Sequence, residues 1–204
     1  MTVADTSIAA IAAGFSGFAA LAAWRASREA NKTAASVAQI ERDRWHKELT
    51  PRLRFRIAEP PGLLHVRLDG PSGLTGLRVR LRIRDDRDRS RDNIPAGGPT
   101  AEERAAVVWG PFRFSAVAAG VDPLARSIAP FTFATDDAVR ITLRPSMPPP
   151  WTPGDDGERR WRIAYADAPL RLWAVCEAPG HKPWRLSAEV PRTGAWEAPT
   201  ATGA

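Results

Sequence analysis

The side chains with the most chemical potential in this 204-residue chain are arginines set two apart. Arg52, Arg54 and Arg56 alternate with Leu53, Phe55 and Ile57, while Arg78, Arg80, Arg82 and Arg84 alternate with Leu77, Val79, Leu81 and Ile83. An extended strand repeats a face every second residue, about 6.6–6.8 Å along the chain, so each set stacks guanidinium groups on one side. Such a ladder repels itself unless something anionic sits opposite. One reading is a solvated face neutralised by Glu59, Asp69, Asp85, Asp86, Asp88 and Asp92. The other is a docking face for anionic lipid or an acidic protein partner, each basic group near an acidic leaflet contributing about 1 kcal/mol. Nucleic acid is disfavoured as a partner, because no recognition helix is apparent and no aromatic residue interleaves the ladder.

The remaining reactive residue types make no constellation. His46, His65 and His181 fall in a helical segment, on a strand face and at a hairpin tip, and no two share ligand spacing. Cys176 is the only cysteine and alternates with Leu170, Leu172 and Ala174, which predicts a buried structural thiol. Ser72 lies between Pro71 and Gly73 without the strand–turn–helix setting of a nucleophile. No catalytic residue, metal site or cofactor is expected.

Composition explains part of the basicity. The net charge is +6 and the pI about 10.6, yet only Lys32, Lys47 and Lys182 of the 29 basic residues are lysines. Abundant Arg, Ala, Pro and Gly reflect GC-rich codons, which weakens any inference from pI to partner. Apolar residues make up 44% of the chain, enough for a core.

The elements that must position these groups begin with an uncharged run, Ser7 to Trp24, closed by Arg25. Its length meets the roughly 20 residues needed to cross a bilayer. Ile8, Ile11, Phe15, Phe18, Leu21 and Trp24 share one helical face and form the expected membrane anchor. Small residues on the other face allow self-association through that helix. Arg25, Arg28 and Lys32 follow the run and set a topology with the carboxyl side in the cytoplasm. A cleaved signal peptide or a helix packed on protein are the competing readings. Residues 25–50 contain no Gly or Pro and read as a helical stalk that stops before Pro51.

Beyond Pro51 the period changes to two. Strands are expected near 52–58, 64–68 and 77–84, joined by turn residues into one antiparallel sheet with a wet face. Thr100 to Glu103 matches a capping box for a short helix through Val107. Further strands are expected at 111–115, 127–133 and 138–144, with one or two helical turns over 157–166. A hairpin closes the domain, Leu170 to Cys176 with Trp184 to Val190. The expected architecture is mainly β: an antiparallel β-sandwich over 51–192, of which immunoglobulin-like topology is one form. It is preceded by a long N-terminal helix, span 1–24 plus stalk 25–50. Seven tryptophans outside the run are available for the core, and 193–204 reads as a disordered tail.

The segment 41–55 (ERDRWHKELTPRLRF) resembles the hinge of uncharacterised actinobacterial proteins with one N-terminal membrane helix, a short helical stalk and a C-terminal β-rich domain. Arg82 to Asp86, Val108 to Phe114 and Gly180 to Trp184 are similar to later blocks of that group. The resemblance covers roughly residues 20 to 190 and carries no activity, so it supplies no functional residues. The expectation is a membrane-anchored, non-enzymatic interaction module at the cytoplasmic membrane surface, with membrane lipid and an unknown protein as partners. The alternative is an exported or cell-surface β-domain that binds a protein or small ligand.

Overall fold

A computed structural model describes the backbone of residues 3–58, 62–71, 74, 76–89, 97–133, 138–152, 154–192 and 194–202, and side chains from residue 24 onward within these ranges. The chain divides into two compact units, Met1–Glu48 and Leu49–Ala204.

The first unit is one helix, α1 (Val3–Glu48). From residue 24 to residue 45 every side chain is exposed. Local pairs support the solvated surface: Gln39 donates to Asp43 at 3.0 Å, and Arg44 meets Glu48 at 2.9 Å, both at i,i+4. His46 and Lys47 in the last turn suit the negative end of the helix dipole. The helix stops two residues before the expected Thr50, because Pro51 restricts its predecessor.

The membrane assignment is corrected here. Among the described residues, no helix is long and apolar enough to cross a membrane. That overturns the single-pass transmembrane reading, and the membrane localisation with a cytoplasmic domain falls with it. The physical reason lies in the described stretch of α1: from Trp24 to Trp45 its side chains are exposed and charged residues interrupt it, which leaves no apolar run of spanning length there. The side chains of Ile8, Ile11, Phe15, Phe18 and Leu21 lie outside the described residues. Trp24 is half exposed at 52%, with the Arg28 guanidinium 4.2 Å above its ring.

The second unit is mainly β. Its strands are β1 (Leu53–Ala58), β2 (Leu63–Leu68), β3 (Leu77–Ile83), β4 (Phe112–Phe114), β5 (Phe131–Phe133), β6 (Ala138–Pro145), β7 (Leu170–Glu177), β8 (Trp184–Val190) and β9 (Thr200–Ala201). Two short helices, α2 (Ala101–Ala106) and α3 (Asp155–Ala164), interrupt them. All pairings are antiparallel, in a four-stranded sheet of order β1-β2-β6-β4 and a five-stranded sheet of order β5-β3-β7-β8-β9. Alternation drives the folding: Leu77, Val79, Leu81 and Ile83 are at most 2% exposed, and Leu53, Phe55, Ile57, Leu64 and Val66 are fully buried in the same cluster.

Three expectations change. β3 does not join β1 and β2; it pairs with β5 and β7 in the other sheet. The loop between β2 and β3 therefore crosses between sheets rather than closing a hairpin. Of the tryptophans, only Trp184 belongs to the buried core; Trp109, Trp151 and Trp161 gather instead around the loops. Their indole N–H groups need acceptors that a β-core lacks. The segment expected as a disordered tail carries β9, and Glu197 bridges Phe55.

The capping box forms as its spacing implies: Thr100 Oγ1 accepts from Glu103 N, and the Glu103 carboxylate accepts from Thr100 N. Gly157 lets α3 approach the preceding turn, since a Cβ there would lie 2.3 Å from the Thr152 carbonyl oxygen.

Candidate functional site

β3 holds its arginines outward because its apolar residues point into the core, and antiparallel register then decides what stands beside them. Arg78 lies opposite Glu177, Arg80 opposite Val175, Arg82 opposite Trp173, and Arg84 next to Arg171 through a 2.9 Å backbone hydrogen bond. One strand further, Arg171 pairs with Glu189 and Val175 with Arg185. Among the described residues, the outer face of the five-stranded sheet thus carries six arginines against two carboxylates. An aromatic ring does interrupt this surface: Trp173, contributed by a distant strand, has the Arg84 guanidinium 5.2 Å above it.

The four described acids among those expected to neutralise the ladder are engaged elsewhere. Asp69 accepts from Arg54 at 3.1 Å and Arg67 at 2.6 Å, on the other sheet. The hydrogen bond from Arg67, with the charges of Arg67 and Arg54, holds its carboxyl below the ordinary range. Asp85 and Asp86 serve the cleft described below, Asp88 has a partner, and Glu59 and Asp92 lie outside the described residues. Glu189 alone serves two arginines, Arg84 at 2.7 Å and Arg171 at 3.2 Å. Among the described residues, Arg78 and Arg80 are exposed and meet no carboxylate at ion-pair distance.

Arg52, Arg54 and Arg56 do not join this face, because β1 belongs to the four-stranded sheet. Arg54 is paired with Asp69, while Arg56 and Arg67 stack on Trp196 at 4.9 and 5.1 Å. The role of Trp196 had no signal in local pattern, since it follows from a nonlocal bridge. His65 lies between Arg56 and Arg140 across both strand pairings; burial first, then these two charges, lowers its pKa.

At the Arg84 end of the ladder a cleft of about 580 Å³ opens, with Arg82, Arg84, Arg171, Trp173 and Glu189 on one wall and Asp85 and Arg126 on another. Loops from four parts of the chain are locked around it. Asp85 accepts from the Trp109 backbone N–H at 3.0 Å and from Arg126 at 3.0 Å. Arg126, 6% exposed, also donates to the carbonyls of Ala105 and Val107. Asp86 accepts from the Tyr165 hydroxyl at 2.9 Å and from both terminal nitrogens of Arg89. Burial pushes the Asp86 carboxyl up, but those hydrogen bonds outweigh it and leave the group below its ordinary pKa. Burial, followed by the bond to Asp86, drives the Tyr165 phenol far above its ordinary value.

Aromatic packing braces the same corner. Arg89 lies 4.0 Å over Trp109, whose ring is 5.5 Å from Trp161, and Trp161 meets Tyr165 edge-on at 4.7 Å. Trp161 Nε1 donates to Ser146 at 2.9 Å. None of these partners is adjacent in sequence, so alternation could not reveal them.

The Cys176 thiol is fully buried and pushed up to about 12 by burial, so it stays protonated. Among the described residues, no group of three or more His, Cys, Asp or Glu side chains could hold a metal ion. The site can bind charge through rigid guanidinium groups. No protein-family model, curated protein or solved structure matches the chain.

Proposed function

We propose that the β-rich unit is a non-enzymatic interaction module that docks an acidic segment of a partner protein on the outer face of its five-stranded sheet. The observation that carries the reading is the exposed pair Arg78 and Arg80, neither of which meets a carboxylate at ion-pair distance among the described residues. Their spacing of about 6.6–6.8 Å equals that of alternate carboxylates on an extended chain, so an acidic strand laid alongside meets them in register.

The connectivity supports an immunoglobulin-like sandwich as the scaffold. β1, β2 and β6 occupy the places of strands A, B and E, and β3, β7 and β8 those of C, F and G. β4 stands beside β6 in the place of D, but precedes β5 in the chain, which departs from that pattern. Recognition through an exposed sheet face needs no catalytic group.

Fluorescence anisotropy of labelled poly-glutamate with the full chain tests the proposal. Binding should weaken steeply as salt shortens the screening length to about 8 Å at physiological ionic strength. Arg78→Gln combined with Arg80→Gln should lower affinity about tenfold while melting normally, since exposed pairs contribute about 0–1 kcal/mol each. Unchanged affinity in that variant refutes the docking face. Binding to acidic vesicles in place of poly-glutamate assigns it to lipid instead.

A further inference from the structure

We infer that the cleft beside Arg84 is a discrete site for a phosphate monoester, held by Arg82, Arg84 and Arg171. It rests on the proposed docking face for its surplus of positive charge, and goes beyond it by naming a ligand group and a pocket.

Three observations converge on the cleft. The first is charge. Asp85 is held by Arg126, Asp86 by Arg89 and Tyr165, and Asp88 has its own partner. Glu189 is then the carboxylate that Arg84 and Arg171 share, and the lining as a whole holds five arginines against four carboxylates, a surplus of one positive charge. A phosphate monoester, about −1.5 to −2 near neutral pH, meets there the charge of Arg82 and of the pair Arg84 and Arg171, which share one carboxylate.

The second observation is unspent hydrogen-bonding capacity. The Nε–H groups of Arg84 and Arg126, both lining the cleft, are buried without an acceptor. Arg82 donates to no carboxylate among the described residues. Buried donors seldom go unmatched, and a phosphoryl group brings three strong acceptor oxygens that suit the guanidinium fork.

The third is rigidity. Arg84 is fixed by the Trp173 ring and by Glu189, Arg171 by Glu189, and the opposite wall by the Asp85–Arg126 bonds. A volume of about 580 Å³ exceeds what a lone phosphate needs, leaving room for the group that carries it.

Isothermal calorimetry on the full chain with inorganic phosphate is the test, with AMP and a phosphoserine peptide as arms that separate a nucleotide from a modified side chain. Saturable binding of phosphate should fall at least about tenfold in Arg82→Gln and in Arg171→Gln, as loss of a charged hydrogen bond implies. Arg82 is exposed, so its variant tests binding without threatening the fold. The Arg78→Gln/Arg80→Gln variant should retain phosphate binding. Whichever of AMP and the phosphoserine peptide binds more tightly names the source, and either result supports the site. Absence of saturable binding by all three overturns the inference, as does an equal loss in the Arg78→Gln/Arg80→Gln variant. Poly-glutamate docking that survives such a failure shows that only the cleft was misread; phosphate binding without poly-glutamate docking shows the reverse.

Discussion

Replacing Arg126 by methionine tests whether the cleft wall is built as argued. The side chain is 6% exposed and holds three acceptors: Asp85 at 3.0 Å, the Ala105 carbonyl at 3.1 Å and the Val107 carbonyl. Methionine fills similar volume but leaves the Asp85 charge facing the Trp109 amide alone, in a setting where that carboxylate is 28% exposed. Breaking a buried pair from one side costs about 3–5 kcal/mol, and partial exposure of Asp85 places the expectation at the low end, about 3 kcal/mol. For a chain of this size that corresponds to a fall in Tm of about 6–12 °C. Total stabilities run to about 5–15 kcal/mol, so the variant should still fold. Urea denaturation of the wild type, Arg126→Met, Asp85→Asn and the double variant gives the coupling directly. Asn retains an acceptor for Trp109 while removing the charge, so the double variant should recover about 1–3 kcal/mol relative to additivity. A single-variant cost below about 1 kcal/mol, or strict additivity, refutes the picture of a charge-locked wall.

Two further expectations follow from the same geometry. Trp196→Ala removes the ring beneath Arg56 and Arg67 and should destabilise the β-rich unit by about 1–2 kcal/mol in urea titration, with poly-glutamate binding unaltered. Because the Asp86 carboxyl is lowered in the fold, its contribution is fully present above its unfolded pKa of 3.8 and is lost as pH falls through the lower folded value. Acid titration of Tyr165→Phe should therefore show a shallower loss of stability below pH 3.8 than the wild type, because one of the bonds that lowers Asp86 is gone. An identical acid limb in both proteins argues against that bond.

What could be read from sequence was whatever alternation encodes. The period of two placed β1, β3, β7 and β8 within a residue or two and fixed which side chains face inward, because each strand buries one face regardless of its partner. The capping box marked α2 for the same local reason. Partnership is a different matter. Arg52, Arg54 and Arg56 have the same pattern as Arg78 to Arg84, yet Arg54 is paired and Arg56 stacked, while Arg78, Arg80 and Arg82 meet no carboxylate at ion-pair distance among the described residues. That contrast is set by Asp69 and Trp196 on one sheet, and on the other by Glu189 and Trp173 lying at the Arg84 end of the ladder.

The cleft was still further from view. Arg126 lies in a loop, Arg171 was one more outward residue in a hairpin strand, and Trp173 could be paired with Arg82 only once β3 was known to lie beside β7. Sequence separations of 41 residues for Arg126 with Asp85 and 79 for Tyr165 with Asp86 carry no local signature. The same separations bear on function: a corner locked by contacts between remote loops holds its guanidinium groups still before any ligand arrives. Ordering a flexible side chain on binding costs about 0.5–1.5 kcal/mol, and here the fold has already met that cost for Arg84 and Arg171. Arg78 and Arg80, unrestrained on the open face, meet it only when a partner docks. On the proposed reading, a rigid cleft at one end of a loose ladder would separate two tasks on one sheet, selection of a phosphoryl group and general attraction of acidic chain.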